Sequence, residues 1–189
     1  MSNHTWRAAP LHWGHGPDIL EVFIEPTCPF CVRALKKMHP LLERVGEDRL
    51  TIKLRLHQQP WHLYSAVVTR CIIAASTLEN GRDRAWKVIE AVMGHREEFV
   101  FKNHATGPNR QTTPDEVIAR LEALSGVKLA AAFDIPDLDD EAKWHAKYSR
   151  QNGIHVSPTF ILNGLIQPQM GSGDAVEDWA DIIATSQPR

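Results

Sequence analysis

Two cysteines separated by two residues, in the tetrapeptide Cys28-Pro29-Phe30-Cys31, are the part of the sequence best suited to chemistry. A thiolate is the nucleophile of thiol–disulfide exchange, and the unpaired N–H groups and partial positive charge of a helix N-terminus stabilise it. On the first turn of a helix, the two sulfurs would lie close enough to form a reversible disulfide. We expect Cys28, nearer the helix start, to attack the substrate and Cys31 to resolve the mixed disulfide.

A chance pair and a structural zinc site are the two alternatives to a redox dithiol. Chance is disfavoured because the pair stands between a predicted strand and a predicted helix. A zinc site requires a second set of ligands at suitable spacing, and the sequence has no second Cys-x-x-Cys. His12 and His15 are close together, but they lie in a segment that we expect to be irregular. We therefore expect no metal here.

The sequence on either side of the dithiol predicts a strand, a helix and a second strand. Residues 19–24 are apolar at both odd and even positions, which indicates a strand buried on both faces. Residues 31–45 have apolar side chains at helical spacing, with a kink expected at Pro40 and an end at Gly46. Residues 50–56 alternate between apolar and polar, as a strand with one buried face does. Together they predict a βαβ unit.

The remainder of the chain predicts a helical block followed by a hairpin and a last helix. Residues 61–153 show helical spacing without strand alternation, and Thr113 to Glu116 has the pattern of a capping box with a proline at the first helical position. Asn163-Gly164 between apolar runs is a strong hairpin signal. We therefore predict two domains: an α/β core of residues 1–60 and 154–189, and a helical insertion of residues 61–153.

The composition limits the classes of partner and structure. The chain has 21 Lys and Arg against 23 Asp and Glu, a net charge of −2, so nucleic acid is not an expected partner. No apolar run is long enough for a transmembrane helix. Three cysteines are too few for a disulfide-stapled scaffold, and Cys71, in an apolar helix, is expected to be a core thiol. Without an apolar leader we expect a cytoplasmic protein, or a periplasmic one if a signal was removed.

The order of these elements resembles that of the thioredoxin superfamily, and of its DsbA-like thiol–disulfide oxidoreductases and protein-disulfide isomerases in particular. The resemblance rests on the strand, Cys-Pro-Phe-Cys, helix, long helical insertion, and then Val-Ser-Pro-Thr-Phe before Asn-Gly. It implies a thioredoxin-like α/β fold (βαβ…ββα) with an all-helical insertion between the second and third core strands. It also implies that Cys28 is the nucleophile, Cys31 the resolving cysteine and Pro158 a cis-proline beside them.

The resemblance further implies where substrates bind. A cis Ser157–Pro158 bond would place the Ser157 backbone beside Cys28, where it would offer strand-like hydrogen bonds to an extended substrate chain. Pro29 and Phe30 belong to the same substrate-binding surface. We also consider Trp61 and Tyr64, which follow the second strand, as parts of an apolar groove, with core packing as the alternative.

Two departures from the family pattern change the expected chemistry. Phe30 replaces the His of strongly oxidising members, so we expect a less oxidising couple. The acid that the family carries six residues before the first cysteine is replaced here by Val22. Glu25, three residues before Cys28, is the better candidate for a proton relay.

The resemblance implies protein or peptide dithiols and disulfides as substrates, with no metal or organic cofactor. An electron partner is expected, either a redox protein or glutathione. Two other functions stay open: a glutathione-linked transferase or isomerase of the kappa type, against which Cys31 argues, and a non-catalytic peptide-binding module. The direction of electron flow depends on the reduction potential of the dithiol. A difference of about 30 mV in that potential changes the equilibrium constant of the exchange tenfold.

Overall fold

The structure of the protein is a computed structural model that describes residues 6–102, residue 106 and residues 108–186. Residues 1–5 and 187–189 of the predicted core, and residues 103–105 and 107 of the predicted insertion, lie outside the described residues.

Five strands form one mixed sheet in the described part of the chain. The strands are β1 (His12–Trp13), β2 (Asp18–Ile24), β3 (Leu50–Leu56), β4 (Thr159–Leu162) and β5 (Leu165–Ile166). Their order in the sheet is β1-β3-β2-β4-β5, in which β2 and β3 are parallel and the other neighbours are antiparallel. The predicted βαβ unit and the hairpin at Asn163-Gly164 are confirmed.

The expectation of an irregular lead-in was wrong at His12–Trp13, which form β1. These residues pair with Lys53 and Ile52 of β3, and the Leu54 N–H donates to the Leu11 carbonyl. A strand of two residues is too short to show a period of two. Its partner strand fixes it, and the local sequence carries no signal for it.

Seven α-helices and two 3₁₀ helices are present in the described residues. The described residues between β3 and β4 form helices and loops, apart from one β-bridge between Lys102 and Thr106. The predicted all-helical insertion is therefore confirmed. Among the described residues, no helix combines the length and apolar character needed to cross a membrane. The helices are α1 (Pro29–Val45), α2 (Ser65–Ser76), α3 (Gly81–Gly94), η1 (Arg96–Phe99), η2 (Pro108–Gln111), α4 (Pro114–Ser125), α5 (Ala130–Phe133), α6 (Asp139–Gln151) and α7 (Val176–Thr185).

Local sequence accounts for the start of helix α4. The capping box is present, because the Glu116 N–H donates to the Thr113 hydroxyl while the Thr113 N–H donates to the Glu116 carboxylate. Pro40 lies inside α1, which continues on to Val45 with Leu41 and Leu42 buried. The four-residue helix α5 was not predicted, because one turn is too short to show helical periodicity. Whether the chain divides into two domains stays a prediction.

The central strand β2 is buried on both faces, as its sequence predicted. Leu20, Val22 and Ile24 belong to the main core with α1, whereas Phe23 packs on the opposite face with Tyr148 of α6. Because β2 and β3 are parallel, the segments that follow them leave from the same edge of the sheet. The dithiol follows β2 directly, and residues 57–64 follow β3, so the fold brings these two segments together.

Candidate active site

Cys28 and Cys31 lie at the start of α1, where β2 ends. Cys28 is the N-cap residue of α1 and Pro29 occupies the first turn, a position that proline favours because its missing N–H is not needed there. Both thiols are reduced; Cys28 is 6% exposed and Cys31 is fully buried. The Cys28 side chain is therefore the one that a substrate in the adjoining pocket can reach.

The two thiols ionise very differently. A hydrogen bond from the Cys31 side chain, joined by the N–H groups of Cys31 and Phe30, lowers the pKa of Cys28 to about 6 against the opposing effect of burial. Burial, and then the neighbouring Cys28, raise the pKa of Cys31. At neutral pH the site therefore combines a reactive thiolate with a protonated thiol, which is the state that an attacking and a resolving cysteine require.

Alkylation of Cys28 should be half-maximal near pH 6, because the thiolate is the reacting form and its pKa is about 6. Cys31→Ala removes the hydrogen bond that lowers this pKa most, so the midpoint should move toward the unperturbed value of 9.0. The measurement is the rate of reaction with iodoacetamide across pH. Cys71→Ser is the control and should keep the wild-type profile, because burial raises the pKa of Cys71 to about 12. An unchanged midpoint in Cys31→Ala would contradict this account of the thiolate.

Ser157 and Pro158 lie directly beside the dithiol, although more than 120 residues separate them from Cys28 in the chain. The Ser157–Pro158 peptide bond is cis, and the Ser157 carbonyl oxygen is 3.9 Å from Cys28 Sγ. The Ser157 side chain hydrogen-bonds to Cys31. The loop is held from the other side by Gln59, whose side-chain amide donates to the His155 carbonyl at 3.2 Å.

A pocket of about 330 Å³ opens beside Cys28, with apolar side chains around its mouth. Phe30, Trp61 and Val156 are each more than half exposed there, and exposed apolar side chains grouped around one opening are typical of a binding surface. Arg96 from helix η1 forms part of the wall, anchored by a 2.6 Å hydrogen bond from its Nε to the Thr27 carbonyl. The lining residues are Cys28, Pro29, Phe30, Gln59, Trp61, His62, Arg96, Val156 and Ser157.

Tyr64, the other aromatic residue considered for this groove, packs in the core instead. It is 6% exposed, its ring packs edge-on against Phe101, and its hydroxyl donates to the carbonyl of Thr112 at 2.9 Å. The structure therefore separates Trp61 and Tyr64, which stand three positions apart in sequence. Trp61 faces the pocket and Tyr64 holds the insertion together.

Glu25 is a fully buried carboxyl group at the end of β2, surrounded by hydrogen-bond donors. Burial raises its pKa, and hydrogen bonds from Ser65, Thr27 and Gln59 oppose that rise. Its own backbone N–H donates to Cys31 Sγ at 3.3 Å, and its carbonyl accepts from the Cys28 N–H at 3.1 Å. Glu25 therefore contacts both cysteines through its backbone, while its carboxyl group holds the neighbouring segments.

The sequence interpretation passed over several residues that the fold brings to this site. Thr27, Gln59, Ser65 and Arg96 carried no local signal. His62 carried one, because it is spaced from His57 as zinc-binding histidines often are. In the structure His62 Nδ1 instead lies 3.0 Å from the Thr27 hydroxyl, and no group of three metal-ligating side chains is found among the described residues.

This fold, with a dithiol at a helix N-terminus beside a cis-proline, is that of a thioredoxin-type protein. Residues 14–182 match the family model described as thioredoxin, and the chain belongs to that family. A search of curated proteins gives no match.

Three solved structures are similar to this chain over nearly its whole length. The chain is 56% identical to a "putative protein-disulfide isomerase" from Pseudomonas syringae, with a TM-score of 0.91 over 92% of this chain and 97% of that one. DsbA2 from Pseudomonas aeruginosa has the same fold at 16% identity and a TM-score of 0.63, over 95% and 96% of the two chains. BdbD from Bacillus subtilis is similar at 13% identity and a TM-score of 0.67, over 96% and 97%.

Proposed function

We propose that the protein is a thiol–disulfide oxidoreductase that acts on protein or peptide substrates through Cys28 and Cys31. The observation that carries this proposal is the opposite ionisation of the two thiols at the mouth of an apolar pocket. A cysteine pair with a purely structural role needs neither a thiol whose pKa is about 6 nor a pocket beside that thiol.

Reduction of a substrate proceeds in two exchanges. The Cys28 thiolate attacks one sulfur of the substrate disulfide, forms a mixed disulfide and expels the other sulfur as a thiolate. Cys31 then loses its proton and attacks Cys28 Sγ, which releases the second substrate sulfur and leaves the Cys28–Cys31 disulfide. The substrate gains two electrons and the protein loses two. Oxidation of a substrate dithiol is the reverse sequence, and neither direction uses a metal or an organic cofactor.

An electron partner must return the dithiol to its starting state after each turnover. A redox protein and glutathione are the two partners that we propose, and both exchange thiols by the same chemistry. In either case Glu25 is the proposed acceptor of the Cys31 proton. Its support is the buried carboxyl group with a raised pKa, in a residue whose backbone already contacts Cys31.

The pocket supports a peptide rather than a small compact molecule as the substrate. The Ser157 carbonyl oxygen lies 3.9 Å from Cys28 Sγ, so an extended chain joined to Cys28 would run past this backbone and could hydrogen-bond to it. Phe30, Trp61 and Val156 then provide apolar contacts for the side chains next to the substrate cysteine. Pro29 also lines the pocket and has no N–H to leave unpaired, and Pro158 follows Ser157 through the cis peptide bond.

Trp61→Ala should raise KM for a disulfide-containing peptide about tenfold, equivalent to about 1.4 kcal/mol of lost aromatic contact, with little change in kcat. Steady-state kinetics with a peptide disulfide and with a small disulfide such as oxidised glutathione provide the measurement, and the small disulfide should show no change. The matched control is Trp144→Ala, since Trp144 is 42% exposed on α6 and lines a different cavity. Equal effects of the two substitutions on KM would contradict the proposed groove.

The experiment that tests the function is the redox equilibrium of the dithiol against glutathione, combined with turnover of a peptide disulfide and of a peptide dithiol. A reduction potential near that of the cytosolic glutathione pool would indicate that the protein reduces its substrates. A much higher reduction potential would indicate that it oxidises them. Binding of peptide with no turnover in either direction would favour the non-catalytic module. Turnover that needs Cys28 but not Cys31 would favour a kappa-type transferase.

A further inference from the structure

Arg96 brings a permanent positive charge to the pocket that contains Cys28. Among the described residues that line this pocket, none is an Asp, a Glu or a Lys, and Phe30, Trp61 and Val156 contribute apolar side chains. A guanidinium beside apolar side chains is screened less by water than one on an open surface, so it attracts a negative group more strongly. The pocket therefore offers a substrate a positive charge next to its apolar contacts.

Two hydrogen bonds hold the Arg96 side chain and leave part of it available. Its Nε donates to the Thr27 carbonyl at 2.6 Å, and that carbonyl belongs to the peptide unit that leads into Cys28. Its Nη1 donates to the carboxylate of Glu97. Its third nitrogen, Nη2, makes no hydrogen bond or ion pair to another described residue. The guanidinium is thus fixed beside the reacting cysteine with donor groups still unused.

Glu97 competes only weakly for this guanidinium. The Glu97 side chain is 85% exposed, whereas that of Arg96 is 19% exposed. An ion pair in which one partner is largely solvated contributes little free energy, so a substrate carboxylate can share the guanidinium or replace Glu97. The planar guanidinium can also pair with a carboxylate through two parallel hydrogen bonds. Arg96 can therefore bind a second carboxylate while it keeps its hydrogen bond to Thr27.

We propose that Arg96 binds a carboxylate of the substrate, carried by an acidic side chain close to the substrate cysteine, and so makes acidic peptides the preferred substrates. The inference rests on the proposed function and names the substrate class of that same site. The substrate cysteine must reach Cys28 Sγ, and Arg96 is held by the carbonyl of the residue before Cys28. An Asp or Glu next to the substrate cysteine would therefore lie near the guanidinium.

The charge of the Cys28 thiolate makes this pairing important for an acidic substrate. A carboxylate that approaches the thiolate is repelled, and the guanidinium of Arg96 offsets that repulsion. When the mixed disulfide forms, the negative charge leaves Cys28 on the expelled substrate sulfur, and the carboxylate stays paired with Arg96. The pairing thus favours both the encounter and the mixed disulfide, so its loss lowers kcat/KM.

The test compares peptide disulfides that differ only at the position next to one cysteine, which is glutamate, glutamine or lysine. We measure kcat/KM for each peptide with dithiothreitol as an uncharged reductant, for the wild type, Arg96→Met, Glu97→Gln and Arg44→Gln. Arg96→Met keeps the apolar stem of the side chain and removes its charge. Glu97→Gln removes the competing carboxylate. Arg44→Gln is the matched control, because Arg44 forms an exposed ion pair with Glu177 at the far end of α1.

We expect the wild type to prefer the glutamate peptide to the glutamine peptide about tenfold in kcat/KM, the effect of a charge-assisted hydrogen bond, and to use the lysine peptide least. Arg96→Met should reduce this preference to near equality. Glu97→Gln should increase the preference, and Arg44→Gln should leave it unchanged. Added sodium chloride should weaken the preference in the wild type, because it screens the ion pair.

The wild-type preference in Arg96→Met would overturn the inference, as would equal kcat/KM of the wild type for the glutamate and glutamine peptides. If Arg96→Met did not fold, a preference in Glu97→Gln no greater than that of the wild type would overturn it. Calorimetry with peptides that carry serine in place of cysteine measures binding without exchange and should show the same preference. Binding with that preference, but no turnover of any peptide disulfide, would instead overturn the proposed function.

Discussion

Cys28→Ser should reduce turnover of a peptide disulfide to the uncatalysed rate, because a serine hydroxyl cannot form a disulfide with the substrate. Cys31→Ser should stop turnover at a later point. In that variant Cys28 still attacks, but the mixed disulfide is not resolved, so substrate stays bound covalently. Turnover is measured by the loss of substrate disulfide. The trapped complex is measured by its mass, which reducing agent should return to that of the free protein.

The outcome of the two substitutions together decides the roles of the cysteines. Cys71→Ser is the matched control: this thiol is fully buried in α2 and should leave both turnover and trapping unchanged. If Cys31→Ser, rather than Cys28→Ser, abolished the first attack, the assignment of nucleophile and resolving cysteine would have to be exchanged. Wild-type turnover in both variants would remove the basis for an oxidoreductase. Complexes trapped by Cys31→Ser in cells would also identify the physiological substrates.

Glu25→Ala should lower the free energy of unfolding by about 3–5 kcal/mol. The substitution leaves three buried donors without an acceptor: the backbone N–H groups of Thr27 and Gln59 and the Ser65 hydroxyl, whereas the Thr27 hydroxyl keeps His62 Nδ1 as a hydrogen-bond partner. These donors belong to the turn before the dithiol, the loop after β3 and the first turn of α2. Urea denaturation followed by circular dichroism measures the loss. Glu43→Ala, an exposed position on α1, is the control and should change stability by less than about 0.5 kcal/mol.

The raised pKa of Glu25 gives this stability a defined pH dependence. The folded protein holds the Glu25 proton more tightly than the unfolded chain, whose value is near 4.5. The contribution of Glu25 to stability is therefore fully present below that value and is lost as pH rises through the pKa of the folded state. Glu25→Gln, which resembles the protonated group, should be less damaging than Glu25→Ala and should flatten this dependence. A steeper dependence in Glu25→Gln would contradict the sign of the shift.

The elements that carry the dithiol could be predicted from the sequence, because each has a signal within a few residues. The apolar run of β2, the helical spacing of α1 and the alternation of β3 report local burial, which periodicity encodes directly. Asn163-Gly164 determines its turn through the positive φ that both residues adopt. The location of Cys28 at a helix N-terminus, and the expectation of a thiolate there, followed from these signals alone.

The surroundings of the dithiol depend on contacts that no local pattern encodes. Sequence treated Trp61 and Tyr64 as equivalent, yet one lines the pocket and the other is buried against the insertion. It ranked Glu25 as a relay candidate without indicating which side chains bind its carboxyl group. Only the parallel pairing of β2 with β3 brings the loop after β3, with Gln59 and His62, to the end of β2.

The sequence by itself thus determined that this protein presents two cysteines at the start of a helix in a thioredoxin-like fold. The tertiary structure decided how those cysteines differ. Cys31 is buried and hydrogen-bonded by Glu25 and Ser157, whereas Cys28 faces a pocket whose walls come from four separate parts of the chain. The physical reason is that a pKa responds to burial and to nearby charges and donors. Those depend on which distant segments pack together, and so on the fold as a whole.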